Sequence, residues 1–313
     1  MPAPKIERHY PRWGAQALWQ QLDALLPGIG IEIVASTDST NTRLVERARR
    51  SSGRRDGPVT APGQLDAAAR EAPTPHGRRG DDVRPCLLVA EAQTAGRGRL
   101  GRTWHASPGA SLTFSLSLPL APPQWSGLSL AVGVALADAL DPGMPAQPPR
   151  IGLKWPNDLW LLDAPGQGRK LGGVLIETVA VGERRMAVIG VGLNVRPPLP
   201  AQLPAQLPAQ ELASGCACAQ ELQPGINPPE ALRCVAAPLA GALRRFERDG
   251  LAPFVDAYRR RDLLHGRSVR TTDADVPEGI AEGIDAHGAL LVRARGRLFT
   301  LVGGEVSVRP AGA

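Results

Sequence analysis

The sequence predicts an α+β chain: a mixed, mostly antiparallel sheet covered by helices, followed by a small C-terminal β-barrel. Three patterns predict it. Four strand-like runs, Ile151 to Lys154, Leu159 to Leu162, Leu171 to Val181 and Met186 to Val195, follow one another. Turn residues such as Pro165-Gly166 and Gly182-Glu183 separate the last three, the mark of an antiparallel meander. Apolar stretches at Leu128 to Leu140 and Pro229 to Arg248 read as helices. From Arg267 the texture shifts to short alternating runs split by Gly, Asp and His: Ser268 to Thr271, Gly279 to Ile284, Ala289 to Arg293, Leu298 to Val302 and Glu305 to Val308. Such runs suit a satellite barrel of roughly 45 residues.

Taken in order, Gly14 to Leu26 is a short amphipathic helix, Ile31 to Val34 a strand, and Thr42 to Arg50 a helix that follows the run S-T-D-S-T-N. Ser51 to Asp82 is rich in Gly, Pro, Ala and Arg and has no hydrophobic period, so it reads as a flexible insertion. Leu87 to Glu91 is an apolar strand. Ser111 to Leu118 alternates strictly, with Leu112, Phe114, Leu116 and Leu118 on one side and Ser and Thr on the other, which predicts a half-buried strand. Leu128 to Leu140 is apolar nearly all round and so belongs inside. Pro197 to Pro229, with its repeat A-Q-L-P-A-Q-L-P, reads as a second loop insertion. Pro238 is expected to kink the helix of Pro229 to Arg248, and Phe254 to Leu264 is a further helix. The expected organisation is a short N-terminal segment (1–30), a main domain (31–264) with insertions at about 51–85 and 197–228, and a barrel domain (265–313).

The 313 residues are 43% hydrophobic, enough for a sizeable core and too much for wholesale disorder. No uncharged apolar run reaches the length of about 18 residues that a membrane helix needs. Met1 to Tyr10 lacks the apolar centre of a secretory signal, so a cytoplasmic location is expected. A disulfide framework is then not expected of Cys86, Cys216, Cys218 and Cys234. Cys216 and Cys218 have no histidine nearby, and a tetrahedral metal site needs more ligands than two thiols. The net charge of +6 invites a nucleic-acid reading. Between Arg49 and Arg84, however, eight arginines face five acids, so half of the excess sits in the one segment made of the first insertion and its flanks. No specific nucleic-acid partner is expected.

Gly96-Arg97-Gly98-Arg99-Leu100-Gly101 matches the dinucleotide fingerprint G-x-G-x-x-G after a strand. The match fails on context. Arg102-Thr103-Trp104-His105 leads to Ser107-Pro108-Gly109 rather than to a helix, and no acid occurs from Ala92 to Ala137 to hold a ribose. What remains is a loop of glycines and of Arg97, Arg99 and Arg102. Glycine allows close backbone approach and arginine offers a fork of donors, which suits a phosphate-bearing anion. Such a loop is expected to be mobile when empty and to order over its ligand. Ser36 to Asn41 offers hydroxyls and an amide between a strand and a helix, with a helix cap as its plainer role. Lys154-Trp155-Pro156-Asn157-Asp158, Arg169-Lys170-Leu171-Gly172-Gly173 and Gly190-Val191-Gly192-Leu193-Asn194 add cations, amides and one carboxylate. No G-x-S-x-G is present and the five histidines are scattered. A cationic, amide-rich site favours charge stabilisation at phosphorus over proton abstraction by histidine.

In order along the chain, D-S-T-N (Asp38 to Asn41), A-E-A-Q-T-A-G-R-G-R-L-G-R-T-W (Ala90 to Trp104), K-W-P-N-D (Lys154 to Asp158), R-K-L-G-G-V-L-I-E (Arg169 to Glu177) and G-V-G-L-N-V (Gly190 to Val195) resemble the biotin–protein ligases. Gly283 to Leu291 and Gly303 to Arg309 resemble the same family's small C-terminal barrel. The resemblance implies a catalytic domain of the biotin/lipoate ligase type with an SH3-like barrel. It implies biotin and ATP as substrates, Mg2+ as the metal, and the biotin carboxyl carrier domain of acetyl-CoA carboxylase or a related carboxylase as acceptor, with a homodimer as a further possibility. On this resemblance Ser39, Thr40, Asn41 and Gln93 hydrogen-bond biotin, Gly96, Arg97, Gly98 and Arg99 cover it, and Gly173 lies against it. Lys170 sits between the biotin carboxylate and the α-phosphate. Arg97, Arg102, Trp104, Asn157 and Asn194 hold the nucleotide. Lys170, Arg99, Arg102 and Lys154 are the expected catalytic cations, and Asp158 the expected magnesium contact. Leu100 lies where some members carry another arginine. Lipoate and octanoate ligases share the fold, and the G-R-G-R-L-G-R loop argues for biotin. Only some 35 residues precede S-T-D-S-T-N, fewer than the ~60 of a winged-helix domain, so the stand-alone type without operator binding is expected.

Overall fold

The larger sheet has seven strands, β1 (Gly30–Val34), β2 (Cys86–Ala90), β3 (Ser111–Pro119), β4 (Ile151–Lys154), β5 (Asp158–Ala164), β6 (Gln167–Val181) and β7 (Arg184–Asn194), in the spatial order β1-β2-β3-β7-β6-β5-β4. β1 and β2 run parallel and every other neighbouring pair antiparallel, so β4 to β7 form the expected meander inside a mixed sheet. The structure is a computed structural model that describes residues 13–53, 83–143, 147–164, 167–197, 216–303 and 308–310. The interiors of the two insertions (54–82 and 198–215), the Pro165-Gly166 turn and most of the run Glu305 to Val308 lie outside the described residues. Among the described residues five α-helices accompany the sheet: α1 (Ala15–Asp23), α2 (Thr40–Gly53), α3 (Leu128–Leu140), α4 (Pro228–Asp249) and α5 (Val255–Arg261).

The two faces of the sheet differ. One carries the main core, where Leu112, Phe114, Leu116 and Leu118 of β3 and Ala187, Ile189, Val191 and Leu193 of β7 join the apolar faces of α1, α3 and α4. α3 is buried from Leu130 to Ala137, as its all-round apolarity predicts. α4 starts on a reciprocal cap between Asn227 and Glu230 and continues through Pro238 as one element. The other face carries a smaller core in which Leu44, Val45 and Ala48 of α2 meet Leu88, Val179, Val181, Met186 and Val188. α2 covers only part of this face, and the cleft described below opens beyond its N-terminus.

Two expectations are corrected. β3 is not half-buried: Thr113, Ser115 and Ser117 are 2%, 0% and 5% exposed. The strand lies in mid-sheet under the first turns of α2, and its hydroxyls find partners inside. Thr113 Oγ1 donates to the Ala90 carbonyl at 2.9 Å, and Ser115 bonds the side chains of Thr40 and Asn41. The second insertion is also shorter than predicted. Ala217, Ala219 and Ile226 belong to the main core, and Cys216 forms a bridge with Lys170. Arg169 anchors this stretch by ion pairs to Glu221 at 2.6 Å and Asp163 at 2.7 Å, which hold both carboxyls below the usual carboxylate range.

The second sheet, β8 (Ser268–Thr271), β9 (Glu278–Ile284), β10 (Leu290–Ala294), β11 (Arg297–Leu301) and β12 (Val308–Pro310), is antiparallel throughout in the order β11-β10-β9-β8-β12. It is tied to the larger sheet beside the Lys154-Trp155-Pro156-Asn157-Asp158 turn. Leu263 N donates to the Leu153 carbonyl at 3.0 Å and Trp155 Nε1 to the Gly288 carbonyl at 3.0 Å. Arg261, whose side chain is 1% exposed, clamps α5 to the end of α3 and the start of β4 through Asp138, Asp141 and the Ile151 carbonyl. Burial alone would raise the Asp141 carboxyl, but Arg261 and the amides of Ile151 and Arg150 bring it below its ordinary value. Arg261→Met is therefore expected to cost about 2 kcal/mol by denaturant unfolding near neutral pH. A depressed carboxyl contributes stability above the ordinary carboxylate pKa and loses it as pH falls through the folded value, so the gap between variant and parent should narrow in acid.

Candidate functional site

The cleft lies on the open part of the α2 face, between the N-terminus of that helix, the Arg97 to Trp104 loop and the Lys154 to Asp158 turn, and encloses about 1440 Å³ including its mouth. Every residue nominated from the sequence lines it except Gly96. Gly96 sits behind, packed against the Trp104 backbone and the Gln93 side chain so closely that no Cβ would fit. Among the described residues the cleft is lined by five cations, Arg97, Arg99, Arg102, Lys154 and Lys170, against one carboxylate, Asp158.

At one end Ser39 caps α2, accepting from the Thr42 amide at 3.4 Å, so the plainer reading of that residue holds. Thr40 and Asn41, 4% and 3% exposed, turn into the sheet. Gln93 Oε1 accepts from the Thr40 amide at 2.8 Å and lies 3.1 Å from its hydroxyl. Asn41 Nδ2 donates to the Leu175 carbonyl at 3.2 Å and to Glu177 at 3.0 Å, while its Oδ1 lies 2.6 Å from Ser115 Oγ. Gly190 passes directly beneath, where a side chain would collide with the Asn41 amide. Ser115, Glu177 and Gly190 were not singled out as site residues from the sequence. The hydroxyl side of the alternating β3 run was the signal for Ser115.

The arginine loop is folded back on itself: Gly98 N bonds the Arg102 carbonyl at 2.7 Å, Trp104 N bonds the Gly96 carbonyl at 2.9 Å, and Arg97 bridges Thr103. Its tip carries Leu100 and Gly101 at φ 56° and 72°. Leu100 pays about 1 kcal/mol for that left-handed conformation, strain confined to an exposed turn. The three arginines point different ways. Arg97 reaches back to Glu177 at 3.3 Å. Arg99 crosses to Asn157 Oδ1 at 3.3 Å and to the Gly303 carbonyl of the small barrel at 3.2 Å. Burial lowers the Arg99 guanidinium from its ordinary pKa, with Asp158 working against that shift. Arg102 stands at the cleft wall.

At the far end Lys170 depends on a β-bulge. Leu159 pairs with Gly172 and Trp160 with Lys170, so Leu171 is an extra residue on β6. Strand alternation from Gly173 and Leu175 would aim Lys170 at the opposite face; the bulge returns it to the cleft while Leu171 stays in the core. Its Nζ lies 3.0 Å from Asp158 Oδ1 and 5.8 Å from the Trp104 ring. Gly173 leaves the space for this pair, with Asp158 Oδ1 only 3.2 Å from where its Cβ would be. Asn157 donates to the Val174 carbonyl at 2.7 Å and Asn194 to the Lys170 carbonyl at 3.4 Å. Trp104 lies flat on Gly192, its Nε1 buried without a partner among the described residues. Lys154 stacks over Trp160 at 5.0 Å. The expected metal contact, Asp158, is thus an ion-pair partner of Lys170, and no group of three or more His, Cys, Asp or Glu is placed to hold a metal among the described residues.

Residues 83–194 match the model of the Biotin/lipoate A/B protein ligase family, and residues 264–309 that of the Biotin protein ligase C terminal domain. The chain is 31% identical over 301 residues to a biotin–[acetyl-CoA-carboxylase] ligase of Mycobacterium tuberculosis, covering 94% of this chain and 91% of that one. It is 34% identical over 227 residues to the bifunctional ligase/repressor BirA of Salmonella typhimurium, spanning 71% of this chain and 66% of that protein's length. The fold matches a biotin protein ligase from Aquifex aeolicus, solved with biotin and ATP, at a TM-score of 0.60 and 23% identity over 91% of this chain and all of that one.

Proposed function

The chain belongs to the biotin protein ligases of the biotin/lipoate ligase family, and on that premise we propose that it activates biotin with ATP and passes the biotinyl group to a lysine of a biotin carboxyl carrier domain. The observation that carries the reading is the imbalance of the cleft, five cations to one carboxylate on a floor of glycines and amides. Such a lining favours an anion at least as charged as an acyl adenylate over a neutral metabolite.

In the first half-reaction a carboxylate oxygen of biotin attacks the α-phosphorus of ATP, and the bond to the β-phosphate oxygen breaks to release pyrophosphate. Negative charge grows on the phosphoryl oxygens. Lys170 and Arg102 are the cations assigned to it, with Lys154 further along the same wall. Arg99 joins the loop to Asn157 and to the barrel, so it is placed to hold the cleft closed over the adenylate. Trp104, Asn157 and Asn194 form the nucleotide end. Asp158 is the only carboxylate in the lining among the described residues. A lone carboxylate suits a magnesium ion carried in by the triphosphate rather than one caged by protein, and such an ion supplies charge neutralisation at the phosphates. In the second half-reaction the neutral amine of the acceptor lysine attacks the carbonyl of the mixed anhydride, AMP departs, and an amide remains. Much of that step can come from positioning alone.

The test is a purified carboxyl carrier domain incubated with the chain, biotin, Mg2+ and ATP. Its mass should rise by one biotinyl group on a single lysine, with AMP and pyrophosphate as co-products. A carrier that takes up lipoate or octanoate and not biotin would refute the reading.

A further inference from the structure

A carboxylate outside the cleft lining joins two parts of its biotin end. Glu177 lies on β6 two residues beyond Leu175, its side chain 25% exposed. One oxygen accepts from Asn41 Nδ2 at 3.0 Å and the other faces Arg97 Nη1 at 3.3 Å. A carboxylate has only lone pairs to offer, and so has the Leu175 carbonyl, the other partner of that amide. Together they fix which way the Asn41 amide faces: nitrogen toward Glu177, oxygen toward Ser115. The Ser115 hydroxyl must then give its single proton to Asn41 Oδ1, at 2.6 Å. Its oxygen is left to accept from Thr40 Oγ1 at 2.7 Å, unless Thr40 donates to Gln93 Oε1 at 3.1 Å instead. By either route Thr40 Oγ1 has spent its proton inside the protein and presents lone pairs where it lines the cleft. Ser115 is 0% exposed, so water does not compete for this chain of bonds.

We propose that Glu177 is a positioning residue for the biotin end of the site: it sets the direction of the Asn41–Ser115–Thr40 hydrogen bonds so that Thr40 accepts from an N–H of the ligand, and it anchors the base of the arginine loop through Arg97. The proposal rests on the ligase reading and adds to it a residue that need not touch either substrate. It also separates the two substrates, because Glu177 acts at the α2 end whereas Lys170, Asn157 and Asn194 gather at the other.

Biotin-dependent exchange of pyrophosphate into ATP tests it on the full chain. Glu177→Ala should raise the KM for biotin at least about tenfold while the KM for ATP stays within about twofold. Glu177→Gln keeps an acceptor for Asn41 and removes the charge opposite Arg97, so its biotin KM should fall between the two. In an Arg97→Ala background Glu177→Gln should add nothing, whereas Glu177→Ala should still raise the biotin KM. Equal changes in both KM values, or a loss confined to kcat, would overturn the proposal. Unchanged melting temperatures with unchanged biotin KM would overturn it as well. Absence of any biotin-dependent exchange in the parent chain would instead bring down the ligase reading beneath it.

Discussion

Lys170→Ala is expected to leave the fold intact and to cut adenylate formation at least about a hundredfold, close to the 3–4 kcal/mol that one preorganised donor contributes to a charged transition state. The side chain is 36% exposed and its ion-pair partner is Asp158, so its removal empties no core. Its backbone, in contrast, is fixed on three counts: the bulge at Leu171, the bridge to Cys216, and the carbonyl that accepts from Ala217 N and Asn194 Nδ2. The ammonium is thus delivered by a rigid element and tethered by one carboxylate that an incoming anion can replace. Lys170→Arg should recover little, because a planar fork cannot occupy the volume beside Gly173 that a point charge fills. Single-turnover pyrophosphate release gives the rate of the step itself. Release at the parent rate from Lys170→Ala would remove Lys170 from the chemistry, and a fall in melting temperature of many degrees would recast it as a structural residue.

What the sequence could show of this arrangement follows from the range of the forces involved. Periodicity is local, and it located the meander from Ile151 to Val195 and four strands of the small barrel, although β6 begins four residues before the predicted Leu171 and the last barrel strand falls at Val308–Pro310. The cleft residues were legible because glycine, arginine and amide side chains clustered in short motifs, and all but Gly96 now line one cavity. Four features depended on contacts between distant segments and were not legible. The Ser/Thr side of β3 reads as a solvent face until α2 is laid over it. The stretch from Cys216 to Ile226 reads as loop because its alanines carry no period, yet Ala217 and Ala219 fill the core beside β6. The bulge at Leu171 leaves no mark in R-K-L-G-G, where simple alternation would have turned Lys170 the wrong way. Glu177 was read only as a residue inside the Leu171 to Val181 strand, because nothing local says that Asn41 and Arg97 arrive from two other parts of the chain.

Gly192→Val should abolish most adenylation by moving Trp104, a residue 88 positions away in sequence. Gly192 lies near the C-terminal end of β7, between β3 and β6, with the indole directly on its Cα. A Cβ there would lie 2.6 Å from Trp104 Cζ2 and 2.7 Å from Nε1, well inside contact distance. The strand cannot yield, since Gly192 is paired with Thr113 on one side and Gly173 on the other. The ring must move instead. Trp104 is bonded through its amide to Gly96, at the base of the loop that carries Arg97, Arg99 and Arg102, so displacement of the ring carries the loop with it. Overpacking of this kind typically costs ~1–3 kcal/mol, and here the cost falls on the geometry of the cations rather than on the core. A drop of about a hundredfold in pyrophosphate exchange is expected, with a melting temperature near that of the parent. Trp104→Ala separates the steric cause from any intrinsic effect of valine on the strand. With the indole gone there is nothing to evict, so Gly192→Val added to Trp104→Ala should lower activity by less than about threefold further. Losses that multiply in full would place the damage in β7 itself, and the glycine would then be a requirement of the sheet rather than of the ring that rests on it.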